Sequence, residues 1–229
     1  MPKLIPKEKS LASVNPELAK QWHPIKNGEL SPLNISGGSA KKVWWKCDEG
    51  DDHEWESSPN NRTKGNGRGC PICSGYKVAK SNCLSTVNPE LASQWHMSKN
   101  NSMTPFDIVS FSHKKVWWKC DKGDDHEWEA SVAHRSNGRN CPMCLGKKIV
   151  NSNCLATINP DLASEWCQSK NGTLTPFDIS PGTHKKFWWI CNMGQDHVWE
   201  ASVASRSNGN GCPVCAGQKV VKSNCLLTI

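Results

Sequence analysis

One set of four metal-capable side chains occurs three times along this chain of 229 residues, as Cys47-x5-His53-x16-Cys70-x2-Cys73, Cys120-x5-His126-x14-Cys141-x2-Cys144 and Cys191-x5-His197-x14-Cys212-x2-Cys215. Three thiolates and one imidazole are the donors of a closed tetrahedral zinc site, which leaves no position for a catalytic water. Iron is the alternative metal. A set of buried free cysteines would not repeat its spacing three times. In each copy the Cys-Pro-x-Cys turn is a zinc knuckle aiming two sulfurs at one ion, and the Cys and His ahead of it complete the cage. Three zinc ions per chain are expected.

The repeat extends well beyond the ligands. Ser10-Leu11-Ala12-Ser13-Val14-Asn15-Pro16-Glu17-Leu18-Ala19 returns as Cys83-Leu84-Ser85-Thr86-Val87-Asn88-Pro89-Glu90-Leu91-Ala92, and again from Cys154 through Ala163, at offsets of 73 and 71 residues. The two extra residues of the first copy fall between His53 and Cys70, in a Gly- and Asn-rich stretch where loop length costs little. The expected division is 1–79, 80–149 and 150–219 for three modules, with 220–229 as the start of a truncated fourth. A module of about 70 residues needs a metal or disulfide staple to fold by itself.

Within each copy, Asn15-Pro16-Glu17 reads as a helix start, with Asn as cap, Pro at the first helical position and Glu at the positive end of the dipole. Val14 and Ala19 are spaced for a hydrophobic staple, and Leu18 and Trp22 share one face. Lys26-Asn27-Gly28, Lys99-Asn100-Asn101 and Lys170-Asn171-Gly172 read as turns. A hairpin is expected next, with Val43–Cys47 and Glu54–Ser57 as its strands in the first copy. The fold class is therefore a set of small zinc-stabilised α+β modules, three tandem repeats, each a β-hairpin with a knuckle and short helices.

The first residues hold no apolar run suited to a signal peptide, and no later segment reaches the length that crosses a bilayer. A reducing intracellular setting is expected, cytoplasm or nucleoid, or the nucleus in a eukaryote, where thiols hold metal more often than they pair. The formal net charge is +7, and nine ligand thiols losing protons against three zinc ions would bring it to about +4. Acidic residues crowd the hairpin loop, including Asp51, Asp52 and Glu54 in the first copy and Asp124 and Asp125 in the second. Phosphate should avoid that end. Lys41-Lys42, Lys114-Lys115 and Lys185-Lys186 enter the first strand, while Arg62, Arg135 and Arg206 precede the knuckle in what read as Asn- and Gly-rich loops. These nine are the expected phosphate contacts. A solvated face is the plainer alternative.

Twelve Trp fall four to a repeat. Neighbours such as Trp44 and Trp45 point to opposite faces of a strand, so one of each pair covers a second surface. That surface is the module's own helix, the next module or a stacked base. Cys83, Cys154 and Cys225 stand where the first copy has Ser10, and Cys167 stands where the others have His23 and His96. Substitution within the array argues against essential ligands there, and small buried thiols are expected.

The pattern Asn-Pro-Glu-Leu-Ala, Trp-His, Lys-Asn-Gly, Lys-Lys-Val-Trp-Trp-Lys-Cys, His-Glu-Trp-Glu, Arg and Cys-Pro-x-Cys resembles a zinc-ribbon, treble-clef-like tandem repeat family across nearly the whole chain. The resemblance implies zinc at the twelve ligands, and work on DNA, since the module occurs in arrays and beside endonuclease-like domains. Cys167 departs from it. A zinc-dependent nucleic-acid-binding array, with DNA as the first partner, is the expected function. The alternatives are a protein-interaction scaffold and the targeting part of a nuclease system, with a nuclease or another protein as partner. No enzyme activity, small-molecule substrate or membrane partner is expected.

Overall fold

The structure is a computed structural model that describes residues 5–64 and 69–226. It holds three α+β repeats, each with a two-stranded sheet, short helices and one Cys/His cluster. The chain divides into two compact units, Met1–Val116 with Ala130–Gly138, and Trp117–Glu129 with Arg139–Ile229. The first Cys/His cluster belongs to the first unit and the other two to the second.

In the first unit, one-turn helices α1 (Leu11–Val14) and α2 (Pro16–Ala19) precede strands β1 (Val43–Lys46) and β2 (Glu54–Ser57) and helix α3 (Pro59–Thr63). Asn15 caps α2 as expected, its side-chain oxygen accepting from Leu18 N at 3.0 Å. The hydrophobic staple does not form as a buried anchor, because Val14 is 59% exposed. Its segment is instead wound into α1, capped by Ser10 and tied by Leu11 N to Ile35 O at 2.8 Å. The helices α4 (Leu84–Val87) and α5 (Pro89–Ala92) repeat the arrangement. In the second copy, strands β3 (Lys115–Lys119) and β4 (Glu127–Ser131) form the sheet, followed by α6 (Val132–Ser136).

The second unit carries the third copy complete, with α7 (Leu155–Ile158), α8 (Pro160–Ser164), β5 (Lys186–Ile190), β6 (Val198–Ser202) and α9 (Val203–Ser207). Pairing is antiparallel, with Trp45 opposite Trp55 in the first sheet and Trp189 opposite Trp199 in the third. The second Trp of each strand pair, Trp45, Trp118 or Trp189, is fully buried. Trp22 meets the ring of Trp45 edge-on at 5.6 Å, and Trp166 meets Trp189 at 5.5 Å, the favoured aromatic geometry.

Trp44 and Trp188, the other members of their pairs, turn to their own module's Lys-Asn turn. Asn27 donates from Nδ2 to Trp44 O at 2.9 Å and accepts from Trp44 N at 2.7 Å, so one side chain extends the sheet like a further strand. Asn171 does the same for Trp188. Lys26 and Lys170 then lie over these indoles, at 4.6 and 4.1 Å from the ring centroids. The third residue of each turn, Gly28, Asn101 or Gly172, has a positive φ of 55 to 64°, which explains why only Gly or Asn stands there.

Candidate metal centres

Each centre is assembled from three local pieces. The first Cys follows the first strand of its hairpin, and its N–H bonds the carbonyl of the ligand His across the loop, at 3.1 Å for Cys47–His53 and Cys120–His126 and 3.2 Å for Cys191–His197. Inside that loop His N–H bonds Gly O at 3.1 Å, which sets Gly50, Gly123 and Gly194 close against the imidazoles. A Cβ on any of the three would come within 2.7–2.8 Å of the ring carbon Cδ2. The knuckle is closed by Gly75, Gly146 and Gly217, all at positive φ, and is anchored by buried Ile72, Met143 or Val214 between its two cysteines.

These pieces bring all twelve expected ligands into three groups whose donor atoms lie within 4.8 Å of one another. The separations fit a tetrahedral ion, for which bond lengths of about 2.3 Å to sulfur and 2.0 Å to nitrogen require S···S near 3.8 Å and S···N near 3.5 Å. In the first group Cys47 Sγ lies 3.6 Å from Cys73 Sγ, and His53 Nδ1 lies 3.5, 3.7 and 3.2 Å from the sulfurs of Cys47, Cys70 and Cys73. His126 Nδ1 is 3.7 Å from Cys141 and 3.4 Å from Cys144, and His197 Nδ1 is 3.7, 3.9 and 3.4 Å from Cys191, Cys212 and Cys215. Every imidazole offers Nδ1.

The far ring nitrogen shows why. Nε2 of His53, His126 and His197 lies 3.1, 3.1 and 3.2 Å from the hydroxyl of Ser81, Ser152 and Ser223. Ser152 and Ser223 donate that hydroxyl to Asp125 and Asp196, at 2.5 and 2.8 Å, so the Ser oxygen accepts from Nε2–H. The proton is thereby held on Nε2, and the Nδ1 lone pair is left for a metal. The Ser backbone N–H also donates to Asp52, Asp125 or Asp196 at 2.8–2.9 Å. These bonds hold all three carboxyls below the usual carboxylate range, through the Ser81 backbone for Asp52 and the Ser hydroxyls for the other two. Asp125, expected only to keep phosphate away, is thus a support of the second centre.

Without a cation the clustered sulfurs resist ionisation. Burial, with hydrogen bonds from the neighbouring thiols, pushes Cys73 and Cys144 up to about 12, and the bond to Cys191 followed by burial pushes Cys215 up to about 11. A divalent ion replaces those protons and removes the repulsion. Three thiolates around Zn2+ leave a net charge of −1, and a cation sits beside the first centre. Burial lowers the pKa of the Arg62 guanidinium, while the sulfurs of Cys70 and Cys47 pull it back up.

The arginines are therefore not in open loops. Arg62, Arg135 and Arg206 lie in α3, α6 and α9 and are 6, 7 and 8% exposed. Ser58, Ser131 and Ser202 cap those helices, a signal hidden by the helices' five-residue length. Arg62 lies 4.8 and 4.9 Å from the rings of Trp45 and Trp55 and donates to Gln21 at 2.6 Å. Arg206 lies over Trp189 and Trp199 at 5.3 and 5.0 Å and pairs with Glu165. Arg135 donates to Gln94, which matches Gln21. The six lysines, in contrast, are all exposed, and none is ion-paired to another described residue.

Cys83 and Cys154 are fully buried at the start of α4 and α7, as expected of small buried thiols. At the position of Cys167, His23 pairs through Nε2 with Glu54 at 3.0 Å and Lys26 bonds the same carboxylate, which is held down to about 2 by Lys26 and then His23. In the third copy the counterpart of Glu54 is Val198, so both partners are replaced together and Cys167 lies buried beside the sheet.

No curated protein matches the chain. The family described as "Probable Treble clef zinc finger domain" matches residues 18–76, 91–147 and 162–218, each segment ending just past a knuckle. With that match over most of its length and a four-donor cluster in every segment, the chain belongs to the treble-clef zinc-finger family so described.

Proposed function

We propose that the chain is a zinc-dependent nucleic-acid-binding array, with DNA as its partner, that contacts phosphates through Lys41, Lys42, Lys114, Lys115, Lys185 and Lys186. The treble-clef fold is a binding and structural module and not a catalytic one. Cys47, His53, Cys70 and Cys73, and their counterparts, would hold three zinc ions per chain, each supplying the cross-link that so little regular structure needs. Elemental analysis of the folded protein should return three zinc; one or none refutes this part.

The observation that carries the phosphate reading is the recurrence, at the same register in all three copies, of an exposed Lys pair with no carboxylate partner among the described residues. An ammonium held at a strand entry and free of carboxylates can release counterions on meeting a phosphate. The buried arginines support these strands from inside and are not needed as contacts. Replacing Lys114 and Lys115 with Ala should weaken duplex binding and reduce the log–log salt slope by about 0.9 per lost contact, or about 0.7 on single strands. Unchanged affinity and slope with zinc intact refutes the reading.

A second reading has its own observation. Val14, Val87 and Ile158, and also Leu33, Phe106 and Phe177, are exposed apolar residues at matching positions in the three copies. Such periodic apolar surface suits a protein scaffold. Binding to a protein that persists at high salt would favour it.

A further inference from the structure

The sequence Ser-Asn-Cys occurs three times, at 81–83, 152–154 and 223–225, where each copy hands over to the next stretch of chain. The equivalent place in the first copy reads Glu8-Lys9-Ser10. The Ser-Asn pair is therefore not what the following helix needs, since Ser10 caps α1 without it. The contacts agree. The hydroxyls of Ser81, Ser152 and Ser223 lie within hydrogen-bond distance of Nε2 of the ligand His of the preceding centre. Asn82, Asn153 and Asn224 donate from Nδ2 to the carbonyl of the residue between the two knuckle cysteines, at 2.9, 2.8 and 3.5 Å. They also accept from the N–H of Ala79, Val150 and Val221 at 2.7–2.8 Å, which shapes the turn.

One residue later the same backbone enters the next module. Cys83 and Cys154 occupy the cap positions of α4 and α7, and Leu84 N and Leu155 N bond Ile108 O and Ile179 O at 2.8 and 2.7 Å in that module's core loop. We infer that Ser81, Ser152 and Ser223 are positioning residues for metal binding, and that each centre, once loaded, clips down the entry of the segment C-terminal to it, so that metal loading supports the chain in one direction, from each centre towards the C-terminus. The physical basis is that a metal-bound Nδ1 fixes the ring, a fixed ring holds its Nε2–H on the Ser oxygen, and the ordered knuckle presents the carbonyl that holds Asn.

The full chain loaded with three equivalents of zinc tests this through stepwise competition with a chromophoric chelator and hydrogen exchange read by peptide. Ser152→Ala should weaken one of the three sites by about 10- to 100-fold and leave the other two unchanged. Ser152→Thr, which keeps the hydroxyl, should retain the original affinity. An unweakened site in the Ala variant, or equal losses for Ala and Thr, overturns the positioning role. Cys141→Ser, which abolishes the second centre, should raise exchange over residues 150–158 and leave residues 11–57 as protected as before. Unchanged protection at 150–158, or equal loss at 11–57, overturns the direction of coupling.

Discussion

Arg62→Ala separates a core arginine from a phosphate contact. The guanidinium lies within 5 Å of two indole centroids and donates to Gln21, at a position only 6% exposed. Two ring contacts at about 0.5–1 kcal/mol each and one charge-assisted hydrogen bond of about 1.5–3 kcal/mol give a loss of about 2.5–5 kcal/mol. The side chain also neutralises a centre of net charge −1, so the first site should lose metal affinity as well. Arg62→Lys should recover little, because an ammonium cannot lie between two rings and keep the same fork of donors. A single unfolding transition is not a sound readout for a chain of several metal-bound modules, so the readout is hydrogen exchange of peptides covering β1 and β2 in the zinc-loaded protein, with DNA affinity measured across a salt series. Protection should fall about 100-fold or more in those peptides, and the salt slope should stay as it was. Intact protection with a slope reduced by about 0.9 would refute the core assignment and return Arg62 to the phosphate interface.

Gly123→Ala places a Cβ 2.8 Å from His126 Cδ2 and 3.1 Å from Ser152 Oγ, so the ring must leave its position, at a cost of about 1–3 kcal/mol and roughly 5- to 150-fold in metal affinity at the second site. Gly182→Ala, with nothing within 4 Å, is the control, and equal affinities in a chelator titration would contradict the crowding. Cys154→Ser should cost under about 1 kcal/mol, since Ser10 caps the same helix turn in the first copy, accepting from Ser13 N at 3.3 Å; loss of one zinc on elemental analysis would make Cys154 a ligand instead. Metal affinity should rise with pH through the neutral range. The thiol of Cys73 binds its proton up to about 12 in the metal-free fold, so protons compete with the ion at every lower pH and the competition eases as pH rises. A flat cobalt(II) titration midpoint between pH 6 and 8 would show that the sulfurs are not the ligands.

The three Cys/His clusters, the hairpin and the Asn-Pro helix start were legible in the sequence because each carries a local signature: a knuckle shows two cysteines three apart, and a cap shows one side chain beside its own helix. The threefold recurrence removed most of the ambiguity that a single Cys-x2-Cys would carry. What the sequence left open lay in pairs far apart along the chain. Arg62 and Gln21 are separated by 41 residues, His53 and Ser81 by 28, and only the closed fold brings them within hydrogen-bond reach. An Arg in a polar stretch and an Arg stacked between two indoles have the same letters around them, and the difference is made by where Trp45 and Trp55 point once the strands pair. Asp196 was the one local hint, since it stays acidic while the same loop changes to Asn192, Met193 and Gln195. Its meaning appeared only when the tertiary structure set Ser223 between it and His197, because a hydrogen-bond chain depends on distance in space and not on distance along the backbone.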